Sequence, residues 1–276
     1  MLVVFGTRCV ECLRREEAPG SLKGQGRPVQ LTIPDGTNEI PKGAFRGCGA
    51  VQKVLIPNSV TSIGSGAFSR CKSLQGVTMP DSLVSIGGGA FAMCEALTSL
   101  HIPNSVRSVG WFAFKQCTAL KSVTISNSMT TIGRELFKEC IYLKSVTIPG
   151  SVTMIEEDAF NGCLSLTSLT IPCSVTSIGA SAFKGCRSLP SVTIPDSVIS
   201  IGQDAFAECS SLTSLDIPRS VTHIGAGAFS ACSSLLSLTL PPGVYLEHFD
   251  RPPACEISHG DAFPVDERVE KALEWG

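Results

Sequence analysis

The sequence predicts a β-rich repeat solenoid, and three observations predict it. The first is an internal period. Prolines 34, 57, 80, 103, 149, 172, 195, 218 and 241 fall 23 residues apart, with one double step over Ser126. The second is that two other residue types keep the same step. Phenylalanines run from Phe45 to Phe229 and cysteines from Cys48 to Cys232, nine of each, with no insertion. The third is composition: the chain is 43% hydrophobic but only 6% aromatic and 17% charged. Such a chain builds its core from many small aliphatic contacts. A fixed period means that each unit is one turn, which buries its apolar side only by stacking on its neighbours.

The elements of one turn follow in order from residues 174–195. Inward positions are Val175, Ile178, Ala182, Phe183, Cys186, Leu189, Val192 and Ile194. Strict spacing stacks like on like, and an insertion at a core-facing position would displace every later column. "SVTSIG" (Ser174–Gly179) is β-rich and reads as a short extended stretch. Gly179 and its equivalents Gly64, Gly87, Gly110, Gly133, Gly202 and Gly225 supply a positive φ or a tight corner. "ASAFKGC" reads as one turn of 3₁₀ or α helix. "LPSVTIP" (Leu189–Pro195) alternates at Val192 and Ile194 and reads as a strand. The closing proline stops pairing, and Asp or Asn after it starts a turn. Nine such turns span residues 29–244. Residues 1–28 read as an irregular lead-in. Residues 245–276 read as a cap with a short helix, where Val265, Val269, Ala272 and Leu273 keep helical spacing.

The unit "LTSLTIPCSVTSIGASAFKGCRS", with its marks "IPxSVTSIGxxAFxxCxSL", resembles the BspA-type leucine-rich repeat of bacterial and protist surface proteins. The resemblance covers roughly residues 29–244. It implies a right-handed leucine-rich repeat coil, with a parallel sheet on one face and short strands and turns on the other. It also implies a non-enzymatic role in protein or glycan binding, adhesion or host interaction, at the cell surface or in secreted form. Departures are few: Ser126 for proline, Glu156 for glycine, Leu136 for alanine, Pro41 for glycine in the first turn and Glu247 for isoleucine in the last.

Thirteen cysteines invite redox or metal chemistry. Nine form one column, which supplies a line of sulfurs rather than four ligands converging on a point. Stacked parallel side chains also lack disulfide geometry. The column therefore reads as small buried hydrophobes with a weak S–H donor. Cys9 and Cys12 form a lone CxxC pair, and Cys255 with His259 lies at the other end, about 40 Å away at the strand spacing. Cys255 falls 14 residues after Pro241, the column position, and reads as a cap on the core. No metal site and no cofactor is expected.

A catalytic constellation is also missing from the pattern. His101 and Asp216 occupy equivalent outward positions five turns apart, about 24 Å, whereas proton transfer needs about 3 Å. His223 belongs to another side of the coil. "IGGGAF" is a repeat corner rather than a phosphate loop. A net charge of -2 offers no basic patch for nucleic acid. No apolar run reaches the length of a membrane span. The opening apolar run stops at Phe5, short of an export signal, so the chain as written reads as intracellular or as a piece of a longer product.

Function is therefore sought on the surface. Outward first-strand positions form two ladders. One holds Lys53, Gly76, Ser99, Ser122, Ser145, Ser168, Ser191, Ser214 and Ser237. The other holds Leu55, Thr78, His101, Thr124, Thr147, Thr170, Thr193, Asp216 and Thr239. They present a broad hydroxyl face for a protein or glycan, or simply suit an exposed β surface. Regular hydroxyl arrays also fit a repetitive surface such as polysaccharide or ice. Trp111 and Phe112 stand where other turns carry Ser65-Gly66 or Gly88-Gly89, and read as anchors at an exposed corner or as rings folded over the adjacent turn. A passive spacer with no ligand is the rival reading.

Overall fold

The computed structural model describes residues 29–247, 252 and 255–259, with the backbone of Leu2–Val3. The predicted lead-in beyond that strand and the predicted C-terminal helix lie outside the described residues. What is described is a parallel β-solenoid of about ten turns, with no helix among the described residues.

The turns follow one common path. In most of them the first strand is three residues long, as in Ser122–Thr124, which is buried only at its middle residue. A proline turn follows, then a two-residue second strand such as Ser177–Ile178. Partners pair in parallel with a constant offset of one repeat: Ser122↔Ser145, Val123↔Val146, Thr124↔Thr147. Alternation decides the faces, because successive side chains of a strand point to opposite sides. Val123 and Val146 enter the core while their neighbours face out.

The core consists of columns. Val175, Ile178, Ala182, Phe183, Cys186 and Leu189 are all at most 2% exposed, and Val192 and Ile194 at most 8%. Phe45 to Phe229 stack at centroid separations of 5.1–6.2 Å, nearly parallel. Offset stacking of this kind adds about 0.5–1.5 kcal/mol per pair beyond area burial.

Three local expectations need correction. "ASAFKGC" is not helical. Alternate N–H groups leave the turn: Ser181, Phe183 and Gly185 donate to Gln203, Ala205 and Ala207 of the next turn at 2.7–2.8 Å. The intervening Ala182, Lys184 and Cys186 close i→i−3 turns. Rungs to the next turn take the donors that a helix needs, so the segment forms a third inter-turn ladder. It is made by left-handed residues at two positions per repeat, among them Ser181 (φ 53°) and Gly185 (φ 72°).

Gly179 and its equivalents, by contrast, are not at positive φ. They mark close approach. A Cβ on Gly179 would lie 2.6 Å from the carbonyl carbon of Glu156 and 2.7 Å from the amide of Glu157. Gly64, Gly87, Gly110, Gly202 and Gly225 meet the preceding turn in the same way. Gly133 does not: its nearest neighbour would be Val109 O at 3.7 Å.

Leu189–Pro195 is not a strand. Elsewhere the residue before the first strand donates its N–H to the turn below, as Lys121 does to Thr98 O and Thr167 to Lys144 O. Pro190 has no N–H to give. The first-strand sheet is interrupted here, between Ser168–Thr170 and Ser214–Asp216, as it also is between Gly76–Thr78 and Ser99–His101. At the C-terminal end, Tyr245–Leu246 and Glu256–His259 extend the second- and first-strand ladders past residue 244.

Candidate binding surface

The fold turns the ladder residues outward and leaves the hydroxyls from Ser99 to Ser214 unused, while Thr239 Oγ1 accepts from Ser258 Oγ at 3.3 Å. Lys53, Ser99, His101, Ser122, Thr124, Ser145, Thr147, Ser168 and Thr170 are all exposed, as are Ser214 and Asp216. Ser191 and Thr193 are exposed too, although Pro190 removes them from strand pairing. Among the described residues, no hydroxyl from Ser99 to Ser214 on these two ladders has an intramolecular hydrogen bond. Threonines just outside the ladders behave differently: Thr98, Thr167 and Thr213 each donate Oγ1 to a carbonyl of the preceding turn. The face is thus a regular array of donors and acceptors left for solvent or ligand. His101 and Asp216 sit on this face, in the strands Ser99–His101 and Ser214–Asp216, and the structure does not bring them together.

The cysteine column lies inside, against the phenylalanine face. Eight of its thiols donate to the phenylalanine carbonyl of the preceding turn, from Cys71 to Phe45 O at 3.1 Å through Cys232 to Phe206 O at 3.2 Å. Phe160 O, for example, accepts both Cys163 N–H in its own turn and Cys186 S–H in the next. Burial pushes these thiols up, to about 12 for Cys71, Cys117 and Cys163 and about 11 for Cys232. A thiol so held is a poor nucleophile and a poor metal ligand. Among the described residues, no group of three His, Cys, Asp or Glu side chains is placed to hold a metal. Cys255 is buried directly before the strand Glu256–His259, where it closes the end of the column. Cys9 and Cys12 lie outside the described residues.

Trp111 and Phe112 form the second feature of the surface, at the corner between the second strand and the phenylalanine face. Trp111 is 57% exposed and Phe112 38%. Phe112 holds φ at 49°, a conformation that bulky side chains rarely adopt. Its ring lies over the preceding turn, 3.5 Å from where a Cβ of Gly89 would be. Trp111 leans the other way, its Cδ1 3.8 Å from the Cβ position of Gly133.

The second-strand ladder is interrupted at this corner. Ser108–Val109 and Thr131–Ile132 are not paired, and the sheets on either side are separate. Thr153 and Glu156 donate to Thr130 O and Ile132 O one turn later, but no such rungs run from Thr130 and Gly133 to the turn below. The turn that leads into Thr131 keeps side-chain bonds to the turn below, as Ser151, Ser174 and Ser197 do in turns whose ladder is paired. Ser126, where other turns have proline, is fully buried and donates Oγ to Val106 O at 2.7 Å, and Ser128 donates to Asn104 O.

Other exposed side chains go beyond the sequence reading. Tyr142 (56% exposed) stands three residues before the strand Ser145–Thr147, and Leu236 (60% exposed) directly before the strand Ser237–Leu240. The signal for Tyr142 was available, since Ser165, Ser188 and Ser211 occupy its position in later turns.

A family model described as "BspA type Leucine rich repeat region" matches residues 38–167 and 153–248. The chain belongs to this family. The solved structures agree in fold. A leucine-rich repeat protein from Bacteroides ovatus is 26% identical, with a TM-score of 0.59 over 83% of this chain and 74% of that one. The pneumococcal vaccine antigen PcpA is 20% identical, with a TM-score of 0.58 over 89% of this chain and 76% of its own, and shows likeness of fold alone. No curated protein matches the chain. Among the described residues of this leucine-rich repeat protein, no helix is long and apolar enough to cross a membrane.

Proposed function

We propose that this protein is a non-enzymatic scaffold that binds a protein or glycan partner along its first-strand face, at a cell surface or in secreted form. The observation that carries the reading is the in-register array of exposed hydroxyls with no intramolecular use, mounted on a core of stacked side chains. Solenoids use such extended faces for recognition. With few anchors on the array, affinity comes from many weak contacts, so multivalent display strengthens it.

The test is a tetramerised form of the protein applied to a panel of extracellular-matrix proteins and a glycan array. Binding that survives in the monomer more weakly, and is lost when Ser122, Thr124, Ser145 and Thr147 are together replaced by lysine, supports the reading. A tetramer that binds nothing on either panel, or a lysine variant that binds as well as the parent, contradicts it in favour of a passive spacer.

A further inference from the structure

The repeat departs from itself in one place more than elsewhere, and the departures meet in space. Trp111 comes from one turn and Glu156 from the second turn after it. Their side chains converge over the bare backbone of Gly133 between them: Trp111 Cδ1 lies 3.8 Å and Glu156 Oε2 4.0 Å from the Cβ position of that glycine. Glu156 itself replaces the glycine that other turns carry.

The electrostatics of the corner are uneven. Glu135 is paired with Lys115, Asp158 with Lys138 at 2.8 Å, and Glu157 with Arg134 at 3.0 Å. Glu156 alone of this group has no cation within ion-pair distance among the described residues. Its Oε2 accepts only the backbone N–H of Arg134, at 2.8 Å. The exposed indole beside it has no hydrogen-bond partner among the described residues. An aromatic face next to a carboxylate that lacks a counter-ion is suited to a cation, which gains from the ring quadrupole and the charge together. A neutral sugar would use the ring but leave the charge unmatched. The second-strand ladder is also open at this spot, since Thr130 and Gly133 carry no rungs to the turn below.

We propose that the corner formed by Trp111 and Glu156 recognises an arginine or lysine side chain of a protein partner. The inference rests on the scaffold reading above, but not on the hydroxyl ladders.

The test uses the full chain with Trp275 replaced by phenylalanine, so that Trp111 is the sole indole. An acetylated peptide of alternating glycine and arginine is titrated while Trp111 emission is followed. The same peptide with citrulline for arginine, and a cello-oligosaccharide, are run beside it. A saturable change with the arginine peptide that weakens in high salt, with no response to citrulline or sugar, is expected. Glu156→Gln should weaken binding about tenfold or more, as befits a charge-assisted contact. Glu157→Gln, one residue away and paired with Arg134, should change it less than about twofold. By calorimetry Trp111→Leu should weaken binding about two- to fivefold or more. An equal response to the citrulline peptide, a response to the sugar alone, no response at all, or an unaffected Glu156→Gln overturns the proposal. The lysine ladder variant separates the two readings: an arginine response retained in it, with panel binding unchanged, sinks the ladder and leaves the corner.

Discussion

Adding one methyl group to Gly179 should unsettle the solenoid, while the same change at Gly133 should not. The two glycines hold equivalent positions, yet their surroundings differ. A Cβ on Gly179 would press within 2.6 Å of Glu156 C and 2.7 Å of Glu157 N. Both are backbone atoms of the turn below, held by the rungs Gly179 N–H to Ile155 O and Asp158 N–H to Ala180 O, so neither can swing aside. Relief requires the two turns to part. Overpacking of this kind costs about 3 kcal/mol at the upper end of its usual range. Gly133 has nothing nearer than 3.7 Å, because the second-strand ladder is open there. Neither residue is at positive φ, so alanine carries no backbone penalty. At Gly133 it should be neutral or stabilising by about 0.5 kcal/mol through the unfolded chain. Thermal unfolding followed by circular dichroism reads the contrast: a fall of about 6–12 °C for Gly179→Ala, and a change within about 2 °C for Gly133→Ala. Equal falls would refute the close-approach account and with it the opened corner.

Hydrogen exchange should find the amides of Thr130 and Gly133 exchanging faster than those of Thr153 and Glu156, which carry rungs; equal protection would close the gap. Phe137→Ala, in the middle of the stacked column and fully buried, should cost about 3–5 kcal/mol in denaturant unfolding; a loss below about 1 kcal/mol would contradict the column. The thiols give a pH window. Their folded pKa is raised, from the ordinary 9.0 to about 12 at Cys71, Cys117 and Cys163. The folded state therefore holds these protons longer than the unfolded state. That stabilisation is complete below about pH 9 and is lost progressively as pH rises toward 12, so alkaline unfolding is expected there and a pH-independent melt would oppose it. In the native protein at pH 8, alkylation resolved by mass spectrometry should label the exposed Cys173 well before any of these three.

Much of this architecture could be read in advance because a repeat reports each position many times over. The inward residues from Val175 to Ile194 were legible from spacing alone, since a column tolerates no slip. What escaped were effects that depend on which backbone groups bond across turns. Pro190 stood in plain view, but its consequence appears only once its neighbours' N–H groups are seen feeding the ladder. Gly179 looks like a conformational glycine in one dimension and is a contact glycine in three. The true left-handed positions carry Glu135, Asp158 and Asp204 as well as glycine, so residue type hid them. On the surface, Trp111 drew notice as a local oddity and Glu156 as a departure. Their meeting over Gly133 could not be read, because it spans two turns of the coil.

The central claim is that recognition uses the outward first-strand face and not the regular surface as a whole. The most direct measurement compares two single substitutions on the same scaffold by surface plasmon resonance with the partner that the panels identify. Thr147→Arg places a large charged side chain on the first-strand ladder. Thr153→Arg places it on the second-strand face of the same turn, also exposed. With both variants melting as the parent does, the account predicts at least about tenfold weaker binding for Thr147→Arg and less than about twofold change for Thr153→Arg. Equal loss from both, or loss from Thr153→Arg alone, would contradict it.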